Sequence, residues 1–313
     1  MLLGEPLSYF LFEVMVLVLL AVCFVYSVRS KDLPPVSRGL ELTVFILYGL
    51  AFESIAVAAG FYSYAPFTLS VGHAPLVIGV GWAVIGFSAM RFSDSLNMPQ
   101  ASKPFLDALL ALLIDLGMDA VAIRDRYTFE GETFEGETLG MWNWGLALDE
   151  QWFGVPYANF MAWWLVVFVM SAALRSGRYL YGWFARAWLA WLYPVGALAV
   201  ALSVFLFLLF TFTSAFNVTV LLLLVGLSVV VSVSSLQGRQ RRLTWLEDAP
   251  VFLVPLAFHL FFFTLMLGRG LYVASPRILG VSVLAFVIHE GILLMAARGS
   301  SKTKRSPADL TPR

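Results

Sequence analysis

Nine runs of roughly 17 or more mostly apolar residues follow one another along this chain of 313 residues. Each run is long enough to cross the hydrocarbon core of a bilayer as an α-helix, which takes about 20 such residues. The sequence therefore predicts an all-α fold, a polytopic transmembrane helical bundle. The predicted spans are residues 7–28, 40–62, 75–91, 105–123, 157–174, 188–210, 214–236, 250–268 and 278–297.

The composition supports this class and excludes several others. Hydrophobic residues make up 60% of the chain and charged residues 13%, against about 25% charged in a soluble domain. The formal charge is zero, with no basic stripe, which argues against nucleic acid as a partner. The lone cysteine, Cys23, lies inside an apolar run, so a disulfide framework is not expected. The first run lacks a basic flank and a small-residue cleavage site, so we expect a retained helix rather than a signal peptide.

The distribution of basic residues predicts the orientation. Sixteen of the 20 Lys and Arg residues follow spans one, three, five, seven and nine. The other four are Arg124, Arg126, Arg269 and Arg277. Because basic residues concentrate on the cytoplasmic side, we expect an outside N-terminus, an inside C-terminus and an odd number of spans. We interpret residues 1–298 as the bundle and residues 299–313 as a disordered, basic cytoplasmic tail.

One predicted outer loop, residues 124–156, contains a tandem duplication in which residues 129–133 and 134–138 both read FEGET. Because alternating Gly and Glu turn the carboxylates to opposite sides, a solvated hairpin or flexible loop is favoured over a cation site.

Ionisable residues inside the spans are the main functional signal, because a charge near the bilayer centre costs about 2.5–3.5 kcal/mol on insertion scales. Glu53 lies about 14 Å, and Asp115 about 12 Å, below the outer ends of their spans. Asp115 and Asp119 share one helix face at i, i+4 spacing. Since like charges repel there, we expect one of the pair to hold a proton at neutral pH, as a general acid must.

Other ionisable residues in the spans have simpler interpretations. Glu13 and His259 lie at a comparable depth, but Glu13 is near the outer interface and His259 also suits a packed, hydrogen-bonded core position. His289 and Glu290 form a polar patch nearer the inner face. Aromatic residues crowd the outer ends of the spans, and a membrane-interface belt accounts for about half of them.

Several chemistries lack their residues. Lysines occur only at positions 31, 103, 302 and 304, so no retinal Schiff base is expected within a span. The three histidines form no His-xxx-His pair, and neither a phosphate loop, a dinucleotide fingerprint nor a Gly-x-Ser-x-Gly elbow occurs. A proton-transfer reaction on a hydrophobic substrate is the most natural remaining chemistry.

One ordered set of residues resembles a known family. The set comprises Glu53, Gly60, Tyr62, Tyr64, Pro75, Trp82, Asp115, Asp119, Trp142, Trp144 and the segment 153–163. Its order is similar to that of the membrane carotenoid 1,2-hydratases, which include bisanhydrobacterioruberin hydratase and γ-carotene hydratase. The resemblance covers residues 40–175, and the paired Asp and the Gly-Val-Pro-xx-Asn-Phe stretch are its most specific parts.

The resemblance implies hydration of the terminal 1,2 double bond of an acyclic carotenoid end group in a prokaryotic cell membrane. Asp115 or Asp119 would protonate C2, and Glu53 or the second Asp would orient the attacking water. A tertiary cation at C1 would lie against aromatic faces, worth about 2 kcal/mol or more when desolvated. The residues expected to bind substrate are Tyr62, Tyr64, Trp82, Trp142, Trp144, Asn159, Trp163 and His259. The polyene would lie between helices in contact with membrane lipid, and neither a metal nor an organic cofactor is required.

Two alternatives remain at this point. The Asp-xxx-Asp spacing is reminiscent of membrane prenyltransferases, which use Mg²⁺ and a prenyl diphosphate, but such sites need two Asp-rich clusters to hold the metals. The second alternative is a non-catalytic protein that binds carotenoid or lipid, or a transporter. Inverted repeats would be expected of a transporter. The sequence shows no convincing repeat between its halves.

Overall fold

The computed structural model describes residues 6–29, 33–129, 136–145, 151–212, 217–237, 243–245 and 247–298. Within these ranges the chain forms ten helices and eight short strands. The helices are α1 (Leu7–Arg29), α2 (Pro35–Ala58), α3 (Leu76–Ser95), α4 (Lys103–Ala122), α5 (Tyr157–Phe184), α6 (Leu189–Phe212), α7 (Val218–Ser234), α8 (Ala249–Gly268), α9 (Leu271–Ala274) and α10 (Pro276–Arg298). Most of the duplicated acidic segment, residues 130–135, and the basic tail, residues 299–313, lie outside the described residues.

The all-α fold class is confirmed, and each predicted span overlaps one helix, although α2 ends at Ala58 rather than at residue 62. Among the described residues, α1, α2, α3, α5, α6, α8 and α10 are long and apolar enough to cross a membrane. Two further helices fall short of this criterion. α4 contains Lys103, Asp107, Asp115 and Asp119, and α7 has 17 residues. The fold is therefore that of a helical membrane protein with seven helices that meet the criterion for spanning.

The short strands pair as antiparallel ribbons that connect helices. They are β1 (Tyr62–Tyr64) with β6 (Trp142–Trp144), β2 (Ser70–Val71) with β3 (Ala74–Pro75), β4 (Tyr127–Thr128) with β5 (Thr138–Leu139), and β7 (Gln151–Trp152) with β8 (Val155–Pro156). In the β1–β6 ribbon Tyr62 lies opposite Trp144, and Tyr64 lies opposite Trp142. Two segments far apart in sequence thus bring four aromatic side chains together.

Helices α3 and α5 begin in the same way. Each follows a two-stranded hairpin whose last residue is a proline, Pro75 or Pro156, with φ of −61° or −60°. Proline suits this place because its ring fixes φ and the first turn of a helix needs no N–H partner. Trp82 and Trp163 each lie seven residues after that proline. The units α2–hairpin–α3 and α4–hairpin–α5 therefore repeat one pattern, on a smaller scale than the halves compared in the sequence.

Five helices form a closed ring in which α2 contacts α3, α3 contacts α4, α4 contacts α5, α5 contacts α6, and α6 contacts α2. Helices α1, α8 and α10 pack outside the ring, with α1 and α8 against α3 and α10 against α4. Strand β1 follows the end of α2, and β6 belongs to the connection between α4 and α5. The ribbon that they form therefore lies over one end of the ring.

A buried ionic network lies toward the other end of the ring, and the sequence analysis missed it. Arg178 donates to both carboxylate oxygens of Glu41, at 2.6 and 2.9 Å, and to Asp94 at 3.0 Å. Arg175 donates to Asp94 at 2.5 Å and to Asp107 at 2.9 Å. The sequence analysis placed Arg175 and Arg178 in the loop after a span that ends at residue 174. That boundary was wrong, because their charges pair with acids on neighbouring helices and α5 continues to Phe184.

Gly86 allows α2 and α3 to pack closely. A Cβ atom at this position would lie 2.1 Å from Cζ of Phe45, a buried ring on α2. We predict that Gly86→Ala lowers the free energy of unfolding in detergent by about 1–3 kcal/mol, the usual cost of overpacking. Gly226→Ala on α7, where no atom lies within 4 Å of the new Cβ, is the matched control and should leave it nearly unchanged. Equal effects of the two variants would contradict this packing argument.

Candidate functional site

A cavity of about 250 Å³ lies between the ring helices and the two outer helices α1 and α8. Its walls come from α1 to α6, from α8 and from the β1–β6 ribbon. An apolar cavity of about 150 Å³ is enough to bind benzene in another protein, so this one has room for a larger hydrocarbon group. Most of its lining is apolar or aromatic, with Glu53, Asp119 and Asn159 as the polar exceptions beside the two tyrosines. This combination of an apolar wall and a few converging polar groups is typical of a small-molecule site.

Glu53 on α2 is held by three hydrogen-bond donors. The hydroxyls of Tyr62 and Tyr64 both donate to Oε2, the latter at 2.5 Å. The indole Nε1–H of Trp82 donates to Oε1 at 2.7 Å. Because an ionised carboxylate only accepts hydrogen bonds, three donors around one buried group favour its charged form. Glu53 is therefore held in one orientation in the cavity wall, and its three donors stabilise the carboxylate form.

The two tyrosines of the ribbon remain neutral donors. Burial, followed by the nearby Glu53 carboxylate, raises the pKa of both Tyr62 and Tyr64 well above the usual range. A phenol with a raised pKa keeps its proton throughout the physiological range. Both hydroxyls can thus donate to Glu53 throughout the physiological range.

The second acidic group is the pair on α4. Nδ2 of Asn159 donates to Oδ2 of Asp119 at 2.5 Å and to Oδ2 of Asp115 at 3.3 Å. The two carboxyl groups also interact with each other. Asp119 lines the cavity, whereas Asp115 is fully buried behind it, and Oδ1 of Asp115 has no hydrogen-bond partner among the described residues. Two adjacent carboxyl groups served by one amide can share a single proton.

Aromatic rings enclose the space between the acidic groups. The ring centroids of Trp82 and Trp163, one from each repeated unit, lie 3.9 Å apart. In the ribbon, the ring centroids of Tyr62 and Trp144 are 4.9 Å apart, and those of Tyr64 and Trp142 are 6.4 Å apart. All of these rings line the cavity. Their electron-rich faces favour a positive charge held between them.

Arg124 links the end of α4 to the β7–β8 hairpin. It follows α4, and its Nη1 donates to the carbonyl of Ala120 at 2.8 Å and to that of Phe153 at 2.6 Å. Phe153 and Gly154 form the turn of the β7–β8 hairpin with φ of 49° and 81°, the left-handed pair that such a tight hairpin uses. The hairpin leads into α5, and Asn159, which contacts the Asp pair on α4, is the third residue of that helix. The sequence offered no sign of this role, because Arg124 looked like an ordinary loop cation.

The structure brings most of the predicted site residues together. Around the one cavity lie Glu53, Asp119, Tyr62, Tyr64, Trp82, Trp142, Trp144, Asn159 and Trp163. Asp115 reaches the site only through Asn159 and Asp119. Glu13 accepts a hydrogen bond from the backbone N–H of Thr68 at 2.9 Å, so it holds a connecting loop.

His259, one of the residues expected to bind substrate, does not line this cavity. Its Nε2 lies 3.3 Å from Nδ1 of His289 on α10, and the neighbouring Phe258 lines the cavity instead. Successive residues of a helix are turned by about 100°, so the depth of His259 in the bilayer did not reveal which way it faces. The phenylalanines of the cavity wall were also missed, because phenylalanine is common throughout these spans. They are Phe12, Phe52, Phe61, Phe205 and Phe258.

Comparisons with protein-family models, with curated proteins and with solved structures find no match for this chain. Within the described ranges, no three His, Cys, Asp or Glu side chains converge in a way that would hold a metal ion. The site is therefore interpreted from its own geometry.

Proposed function

We propose that this chain is a carotenoid 1,2-hydratase, a hydro-lyase that adds water across the terminal double bond of an acyclic carotenoid end group. The observation that supports this most is the pairing of two different acidic groups in one aromatic cavity. One is Glu53, which accepts hydrogen bonds from three donors. The other is the Asp115–Asp119 pair, which shares the side-chain amide of Asn159 as donor. Hydration of an alkene needs both a proton donor and a group that accepts a proton from water.

In the proposed reaction, Asp119 is the acid because it lines the cavity. Its O–H bond breaks as the π electrons of the C1=C2 bond form a new C–H bond at C2, which leaves a tertiary cation at C1. Asp115 and Asn159 act as positioning residues that hold the proton on the pair and orient Asp119.

The cation at C1 lies between aromatic faces and near the Glu53 carboxylate. A water oxygen then forms the C1–O bond, and Glu53 accepts the proton that this water releases. Exchange with solvent returns a proton to Asp119 and removes one from Glu53, so the net reaction is alkene plus water to tertiary alcohol. No metal or organic cofactor takes part in these steps.

The proposal includes nine spans with the N-terminus outside and the C-terminus inside a prokaryotic cell membrane. The excess of basic residues on one side supports this orientation. In it, the cavity lies in the outer half of the bilayer and the ionic network lies near the inner face. The hydrophobic carotenoid reaches the cavity from the lipid, and its polyene remains between helices.

Expression in a lycopene-producing host tests the proposal. We expect a new pigment with a tertiary hydroxyl at the end group, formed by the membrane fraction in the presence of a metal chelator. Unchanged pigment from folded protein, with several acyclic carotenoids supplied, would contradict hydration. Carotenoid that is bound but unchanged would favour a binding protein, and Mg²⁺-dependent consumption of a prenyl diphosphate would favour a prenyltransferase.

A further inference from the structure

Helices α2 and α3 approach closely at Gly49 and Gly79, directly below Glu53. A Cβ built on Gly49 would lie 3.2 Å from Cα of Gly79. A Cβ built on Gly79 would in turn meet the Leu50 side chain at 2.5 Å and the carbonyl oxygen of Ile46 at 3.0 Å. Small residues at such a crossing let the two backbones come together.

The indole of Trp82 lies across this crossing. A Cβ on Gly49 would be 3.0 Å from both Cβ and Cδ1 of Trp82. From there the ring reaches Glu53, one turn above Gly49 on the same face of α2, and donates its Nε1–H at 2.7 Å. Because Cβ of Trp82 is fixed to the α3 backbone, the side chain cannot turn away from a new methyl group and keep this hydrogen bond.

We propose that Gly49 is a positioning residue for the acidic site, because the absence of a side chain there lets Trp82 reach Glu53. Gly49 touches no substrate and acts only through the indole. The structural part of this inference applies to any use of Glu53, and its kinetic part rests on the proposed hydration.

The indole resonances of Trp82 test the structural part without any activity. The chain has ten tryptophans, so a protein labelled with ¹⁵N at the indole nitrogens gives a small set of signals, and Trp82→Phe identifies the one from Trp82. Gly49→Ala should move this signal upfield and speed its exchange with solvent, as expected for an N–H that loses a carboxylate partner. The control Gly86→Ala crowds the same pair of helices against Phe45, one turn further along α3, and should leave the signal in place.

Kinetics test the rest. Gly49→Ala should lower kcat/KM for hydration about ten-fold, the equivalent of one hydrogen bond to a charged group. In a Trp82→Phe background the same change should have little further effect, because the hydrogen bond is already absent. If Gly49→Ala loses the indole hydrogen bond but the wild-type chain shows no hydratase activity, the positioning role of Gly49 stands and only the proposed function is overturned.

An unchanged Trp82 signal in Gly49→Ala would overturn the inference, as would equal losses of kcat/KM in the wild-type and Trp82→Phe backgrounds. If Gly49→Ala does not fold, Gly49→Ala combined with Trp82→Ala decides. Recovery of folded protein shows that the indole is what the methyl group displaces, whereas failure of both shows that Gly49 serves only backbone packing.

Discussion

Replacing Asp119 by Asn is expected to lower the rate of hydration by about 10² to 10⁴-fold, the range that a positioned general acid contributes. The amide has nearly the same shape as the carboxyl group but no proton acidic enough to reach C2. Asp119 lines the cavity, so the loss should fall on kcat more than on substrate binding. Rates of conversion of an acyclic carotenoid by purified protein provide the measurement.

Two related variants make this test specific. Asp115→Asn should cost less, because the carboxyl group of Asp119 stays in the cavity wall while only its buried neighbour changes. Asp125→Asn removes another buried carboxylate close to the end of α4, one that contacts Ser8 and Arg269 rather than the cavity, and should leave the rate unchanged. Full activity of Asp119→Asn, with its fold verified by thermal unfolding, would remove Asp119 from the mechanism.

Arg175→Ala is expected to lower the free energy of unfolding by about 3–5 kcal/mol. Arg175 is buried and pairs with Asp94 and with Asp107, which is itself fully buried, and it also donates to Ser93 at 2.7 Å. Without the guanidinium, the buried Asp107 side chain would lose its ion-pair partner, and the Ser171 hydroxyl would remain as its hydrogen-bond donor. Unfolding in a graded denaturing detergent measures the change.

Arg186→Ala is the control for this prediction, because Arg186 is exposed after the end of α5. Its effect should stay within about 0.5 kcal/mol, as is usual for a surface change. Arg175→Lys should fall between the two, since an ammonium keeps the charge but cannot repeat the fork-shaped contacts. Similar stability of the Arg175→Ala and Arg186→Ala proteins would show that the ionic network contributes little.

Sequence analysis could locate the helices because each is a long apolar run, and a chain with so many such runs needs lipid around it. Their ends were less accessible. α5 extends beyond residue 174 because Arg175 and Arg178 pair with carboxylates on α2, α3 and α4. A pattern along one segment does not reveal such partners. The same reasoning explains why Glu41, Asp94 and Asp107 were not recognised as a network.

The acidic residues of the site could be found because an ionisable group inside an apolar run is costly without a partner. Their partners could not be found from spacing alone. Trp82 reaches Glu53 from another helix, and Asn159 reaches the Asp pair only because the β7–β8 hairpin starts α5 beside α4. His259 shows the limit of depth as a criterion, since two residues at one level of a bundle can face opposite ways.

Isotope labelling of the product tests the central claim most directly. Purified protein is incubated with lycopene in D₂O and, separately, in H₂¹⁸O, each with a metal chelator. We predict a tertiary alcohol with one deuterium on C2 from the first solvent and ¹⁸O on C1 from the second, and neither product from Asp119→Asn. Recovery of unlabelled, unchanged carotenoid from folded wild-type protein, or equal labelling by Asp119→Asn, would contradict the assignment of this cavity as a hydration site.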